Sequence, residues 1–309
     1  MNAETLPAVT CSFQQAVRSR DFVITVQVPL RPMTTATDLC NAVRQLQPFV
    51  DAVQITDNVT IEPHMSPIAA ASLVLGIGMD AVLHLNCRDR NRIALQSDVM
   101  GAAAIGVTSF VLSRGEKLPA SLKQRVKGVF DIGAKRLLAT AQVIGMNERL
   151  VASPGFFLGS NITVIDPPED WSAEGVDTKA DAGSKFLQTQ PCLDVEILRR
   201  YMAALIAKKA LQKTSVIVQV PLLDSMDAAR DATREFQQGR RTLLIPKAIV
   251  ARLRAAPDFS REVEAVCSDV LREIAKIPGV SGANIVYRSE ARSVCRVIDA
   301  SGLRSTQPG

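Results

Sequence analysis

Two patterns alternate along the chain: short runs rich in Val, Ile and Leu, and longer stretches whose apolar residues recur at helical spacing. FVITVQV (22–28) reads as a first strand and DLCNAVRQLQPF after it as a helix. DAVQIT (51–56) is a second strand. SPIAAASLVLGI follows as a helix opened by Ser66, with Pro67 at the first position, where a helix has no use for the missing N–H. AVLHLN (81–86) and VTSFVLS (107–113) are strands three and four, followed by the helical stretches NRIALQSDVMGAAAIG and VFDIGAKRLLATAQVIG. RLVASPG (149–155) is short and apolar enough for strand five. NITVIDPPEDWSAEGVD (161–177) is polar, carries paired prolines, and reads as a long loop leading into a helix. KFLQTQ (185–190), SVIVQVPL (215–222) and VSGANIVY (280–287) complete eight strands. DVEILRRYMAALIAKKAL, IPKAIVARLRAA and REVEAVCSDVLREIAKI are the helices between them, and Asp194 is placed to cap the first of these.

Strands that alternate with helices imply parallel βα units. A closed barrel and an open doubly wound sheet both satisfy the alternation. No GxGxxG follows the first strand, which counts against a dinucleotide-binding open sheet. The expected fold is therefore α/β, a single-domain (β/α)₈ TIM barrel over residues 21–296, with an N-terminal extension (1–20) and a frayed C-terminal tail (297–309). The pentapeptide VQVPL occurs twice, at 26–30 and 218–222, too short a match to define an internal repeat.

Composition narrows the class. The 309 residues are 47% hydrophobic, enough for one large core, and barrels of about 250 residues commonly form one unit. Net charge is +5 with only 4% aromatics, so the basic, aromatic-flanked patch of a nucleic-acid binder is not expected. The most apolar window, SPIAAASLVLGIGMDAVLHL, is broken by Gly76, Gly78 and Asp80, and no membrane span is expected. The N-terminus lacks the basic start and apolar run of a secretory signal. The six cysteines form no CxxC pair and no zinc spacing, so reduced thiols in a cytoplasmic protein are expected, with no metal.

Barrel enzymes build their sites at the C-terminal ends of strands. That rule selects Gln27; Thr56, Asp57 and Asn58; His84, Asn86 and Cys87 with Arg88, Asp89 and Arg90 after them; Arg114, Gly115 and Glu116; and Gln188 and Gln190. The set is polar but poor in bases, since His64 and His84 are the only histidines. Such groups suit hydrogen bonds to a large heteroaromatic ring whose cofactor carries the difficult chemistry. Arg88, Asp89 and Arg90 read more readily as a local ion-pair cluster, and Cys87 as a small buried apolar residue. Gln27 and Gln219 sit near strand ends in apolar surroundings, and each needs a partner if buried; Gln219 reads as structural.

At these residues the chain resembles the methylenetetrahydrofolate reductase family. QITDN, MSP, HLNCRDRNRIALQSD, GAAAIGV and a strand ending in RGE occur in that family's order. KADAGSKFLQTQPCLDVEILRRYM is similar to its later segment and PGVSGANIVY to its last strand, so the likeness spans roughly residues 20 to 290. The resemblance implies a (β/α)₈ barrel that binds FAD and often forms homo-oligomers. NAD(P)H as co-substrate would reduce the flavin, and the flavin would pass hydride to 5,10-methylenetetrahydrofolate, giving 5-methyltetrahydrofolate. By position, Thr56, His84, Asn86, Arg114, Gly115 and Glu116 would line the flavin. Glu116 stands where family members mostly have Asp, beside flavin and folate. Gln190 matches a folate-contacting glutamine, and Met226 falls where some members stack an aromatic on substrate.

Gln27 departs from the pattern. The family carries a glutamate there, the general acid that protonates folate N10, and a glutamine has no such proton to give. Asp57, Glu62 and Glu116 are the acids that could replace it. Otherwise the enzyme runs slowly, or the protein keeps its ligands and loses the reaction. A pterin-binding methyltransferase barrel is a weaker reading, because no zinc-thiolate cluster is visible.

Overall fold

Eight parallel strands close into a barrel in chain order: β1 (Val23–Val28), β2 (Ala52–Ile55), β3 (Ala81–Asn86), β4 (Ser109–Ser113), β5 (Phe157–Ile162), β6 (Phe186–Pro191), β7 (Ser215–Pro221) and β8 (Val280–Val286). β1 and β8 form the closing seam, with Thr25 opposite Asn284 and Gln27 opposite Val286. The computed structural model describes residues 11–57, 63–118, 126–150, 155–228, 243–288 and 290–304. Its helices are α1 (Phe13–Ser19), α2 (Ala36–Leu46), α3 (Pro67–Leu75), α4 (Arg92–Ala104), α5 (Ala134–Gly145), α6 (Glu174–Asp181), α7 (Val195–Ala207), α8 (Lys247–Ala255), α9 (Phe259–Ile274) and α10 (Ala291–Ser301). No described helix is long and apolar enough to cross a membrane.

Strands covered on both faces explain the near-continuous apolar runs of the sequence. Ile24, Val26, Leu83, Leu85, Phe110 and Leu112 belong to the core beneath the helices. Local capping sets where the helices begin. Thr35 and Asp38 form a reciprocal capping box on α2, Asn91 accepts from the Ala94 N–H at 3.0 Å to open α4, and Asp194 accepts from the Ile197 N–H at 3.0 Å to open α7.

The lower half of the barrel lumen is filled by a second apolar cluster: Val23, Ala52, Val82, Val111, Phe157, Phe186 and Ile217, closed from below by Phe13 of α1. The Phe13 ring meets Phe157 and Phe186 edge-on at 5.6 and 5.2 Å, and those two rings stack at 5.1 Å. Gly159 permits this arrangement, because a Cβ there would fall 2.3 Å from the Phe186 ring. The plug is anchored by the Phe13 N–H, which donates to buried Asp80 at 2.6 Å.

Three expectations are corrected. Strand five lies at Phe157–Ile162, not at 149–155. Gly155 turns the chain with φ +83°, and the strand contains Gly159, Ser160 and Asn161, whose weak strand character hid it; residues 151–154 lie outside those described. The supposed N-terminal extension carries α1, which seals the lumen. The supposed frayed tail continues α10, with Val297 and Ile298 fully buried, to a left-handed cap at Gly302. Beyond it Arg304 bonds the Phe22 carbonyl and the Asp51 carboxylate, both at 2.8 Å.

Phe13→Ala leaves a void in a ring cluster that cannot collapse around it. The expected loss is about 3–5 kcal/mol of unfolding free energy, measured by urea titration.

Candidate functional site

Alternation along each strand and the stagger between strands sort the inward-facing residues into four-residue layers drawn from alternate strands. Carried round the ladder registers, Gln27, His84, Asn161 and Gln219 of β1, β3, β5 and β7 form one layer. Gln54, Val111, Gln188 and Asn284 of the even strands form the layer beneath. The lumen therefore changes from aromatic rings to amides about halfway up.

Gln54 is the hub of the amide region. Its Nε2 donates to Thr25 Oγ1 at 3.0 Å and to Gln188 Oε1 at 2.9 Å. The Thr25 hydroxyl donates in turn to Asn284 Oδ1 at 3.1 Å. With both its N–H groups spent, Gln54 offers only Oε1 to His84 Nε2, 2.8 Å away. His84 therefore carries its proton on Nε2 and leaves Nδ1 as an acceptor. Burial lowers the His84 pKa to about 4 against the opposing charge of Asp57, so the ring is neutral at neutral pH. Four buried side-chain polar atoms find no partner among the described residues: Gln188 Nε2 and Asn284 Nδ2 in the amide region, and the Ser109 and Thr214 hydroxyls elsewhere. The half-buried Gln27 and Gln219 amides also make no side-chain hydrogen bond among the described residues.

The His84–Asp98 run builds a scaffold beside this floor. Buried Asp57, at the end of β2, accepts from Arg90 at 2.6 and 2.9 Å and from the backbone and side-chain N–H groups of Asn86 at 3.0 and 2.7 Å. Arg90 also reaches Asp98 of α4 at 2.8 Å, tying the ends of β2 and β3 to that helix. Arg88 pairs with Asp89 at 2.7 Å, as a local ion pair would. Gly115 lies at φ +78°, where a Cβ would meet Asn86 Oδ1 at 2.9 Å and Arg88 Cβ at 3.0 Å. The Arg114 guanidinium lies 4.6 Å from the centre of the Phe130 ring.

The other candidates divide accordingly. Thr56 is buried at the end of β2, Arg114 and Glu116 are exposed after β4, and Met226 is half-buried at the start of a helical turn after β7. The Asn86 side chain is taken up by the protein itself, since its Oδ1 accepts from the Arg88 N–H at 2.8 Å while its Nδ2 serves Asp57. Gln190 spans the Val164 peptide, accepting at 2.8 Å and donating at 3.0 Å. Burial raises the Cys87 thiol to about 11, which makes it a poor nucleophile. Asn58 and Glu62 lie outside the described residues. Asn161, Gln54 and Asn284 were missing from the strand-end list: the first because β5 was misplaced, the others because they sit inside strands rather than at their ends. A groove of about 490 Å³ between α7, α8 and α9 lies on the outer wall and contains none of the candidates.

Neutral amides line the mouth of a closed, parallel eight-stranded barrel. The family model described as methylenetetrahydrofolate reductase matches residues 12–286, and the chain belongs to that family. No curated protein matches its sequence. Among solved structures, it resembles an uncharacterized protein from Clostridium thermocellum, described as binding two copies of 5-methyl-5,6,7,8-tetrahydrofolic acid. The TM-score is 0.62 at 12% identity, covering 93% of this chain and 96% of that one. DmoA from Hyphomicrobium sulfonivorans matches with TM-score 0.54 at 12% identity, covering 93% and 90%. At such identity these two likenesses establish the fold alone.

Arg90→Ala takes the bidentate guanidinium from buried Asp57, so it should cost about 3–5 kcal/mol in denaturant unfolding. His84 is held neutral, with a folded pKa below the unfolded value of 6.5. The unfolded chain thus binds the extra proton first, and stability falls as pH drops from 6.5 towards 4. An NMR titration of the His84 ring should show its protonation step near pH 4, with the proton on Nε2 above that.

Proposed function

We propose that this protein is an FAD-binding oxidoreductase that interconverts 5,10-methylenetetrahydrofolate and 5-methyltetrahydrofolate, with NAD(P)H as co-substrate. The amide-lined mouth is the observation that carries this reading. Its free hydrogen-bonding groups are neutral donors and acceptors, the complement of a fused heterocycle with ring nitrogens and carbonyls. Family membership points to the folate, and the solved relative described as a methyltetrahydrofolate binder adds support.

Thr56, His84, Arg114, Gly115 and Glu116 follow one another along the ends of β2, β3 and β4 and would hold the flavin. The unpaired buried donors on Gln188 and Asn284 fit a ring that presents acceptors downward. FAD would supply two-electron transfer between nicotinamide and folate. Within that site His84 is a hydrogen-bonding group rather than an acid, because burial keeps it neutral. Asn86 and Gln190 act as scaffolding, each engaged by protein partners.

The proton for folate N10 is the weak point of the cycle. Gln27 has none to give, and Asp57 is committed to Arg90 and Asn86. Glu116 is the exposed acid left at the β4 end. These facts favour a second reading, a folate- and flavin-binding protein without efficient turnover.

Purified protein reconstituted with FAD should show flavin absorbance, and it should oxidise 5-methyltetrahydrofolate slowly with an artificial electron acceptor. Protein that stays colourless with excess FAD would overturn the flavin assignment. Gln27→Glu should raise turnover by about 10²-fold or more, since a positioned acid is typically worth 10²–10⁴. If that variant binds both ligands yet gains no turnover, the binding-protein reading holds.

A further inference from the structure

The twice-occurring VQVPL acquires a meaning from the barrel. Its first copy, Val26 to Leu30, runs along β1 and off its end; the second, Val218 to Leu222, does the same on β7. The two strands flank β8, where Val286 faces Gln27 on one side and Pro221 on the other, while Asn284 faces Thr25 and Gln219. In each copy the valines and the leucine are buried and the glutamine is half-buried, turned into the lumen. Pro29 and Pro221 follow at the same offset, so both segments lose a ladder donor just past the glutamine.

The segments thus set Gln27 and Gln219 in one layer, on either side of β8, with neither amide engaged by a described residue. Asn284 lies between and beneath them, fully buried, and its Nδ2 has no acceptor because its Oδ1 is the end used by Thr25. A buried, unpaired N–H is costly to leave unmade, and no protein atom meets it here. Three neutral amides on three consecutive strands, one with an orphaned donor, call for a partner from outside the chain.

We infer that Gln27 and Gln219 form a paired-amide clamp that grips the lactam edge of the pterin ring, its adjacent C=O and N–H, above Asn284. The inference rests on the folate reading given above. A lactam presents one acceptor and one donor side by side, and a carboxamide is its complement. The layer holds no carboxylate or cation, so it favours the neutral lactam over an amidine at the same ring position. Gln219 is therefore a binding residue rather than part of the frame. The same arrangement gives Gln27 a role that needs no proton.

The experiment compares two probes that differ at this edge: folic acid, which carries the lactam, and aminopterin, its 4-amino analogue. Each is titrated calorimetrically into the full chain and into Gln219→Leu and Gln219→Glu, with urea unfolding confirming that the variants fold. Wild type should prefer folic acid by about tenfold, the scale of one net hydrogen bond plus an unpaired group. Gln219→Leu should lose most of that preference by weakening folic acid alone. Gln219→Glu, which offers only acceptors, should shift the preference towards aminopterin. The clamp is overturned if wild type binds both probes equally, or if Gln219→Leu keeps both affinity and preference. FAD titrated into Gln219→Leu should bind as to wild type; loss of FAD with folic acid unchanged would move the clamp to the flavin and overturn the pterin assignment. If wild type takes up neither probe, the folate reading itself falls, and the clamp with it.

Discussion

The structure depends on how a closed lumen is filled where water cannot enter. Eight strands turn half their side chains into a space with a fixed width, and any gap or unpaired polar group there is costly. The lower half answers with rings: Phe13, Phe157 and Phe186 interlock, and Gly159 gives up its side chain so that Phe186 can lie across the axis. The upper half answers with amides linked through Gln54. Among the described residues the amides leave two buried donors over, on Gln188 and Asn284, and beside the rings the Ser109 hydroxyl also lacks a partner.

Much of this was legible from the chain. Seven of the eight strands lie where β-branched runs place them, and Asp194 caps α7 as its position suggested. The fifth was not legible, because Gly159 and Asn161 are poor strand formers, chosen for the lumen rather than for the strand. The two end segments were misread for a related reason: α1 and the Arg304 that follows α10 are held by partners far away in sequence, Asp80 and Phe157 for one, Asp51 and Phe22 for the other. Strand-end reasoning placed Gln27, Thr56, His84 and Arg114 near or just past the ends of their strands, and they lie there. It did not show that Asn86 and Gln190 are occupied, since Asp57 and Val164 reach them only through the tertiary fold.

The most recognisable stretch of the sequence is thus the frame of the site more than its chemistry. In HLNCRDRN, Asn86, Arg88 and Arg90 are all engaged with protein groups, and the ring of His84 is aligned by Gln54. The amides of Gln27, Gln219 and Asn284 that keep a group unpaired among the described residues come from β1, β7 and β8, outside that run.

The seam between β1 and β8 has a consequence in time. Thr25 and Asn284, bonded across it, stand 259 positions apart in the chain. At ribosomal speeds of about 5–20 residues per second, β1 waits roughly 13–50 s for the strand that completes it. Arg304, which fastens the Phe22 carbonyl and Asp51, arrives later still. Until then the edge of β1 that β8 covers in the finished barrel lacks its ladder partner, a border open to pairing with other strands.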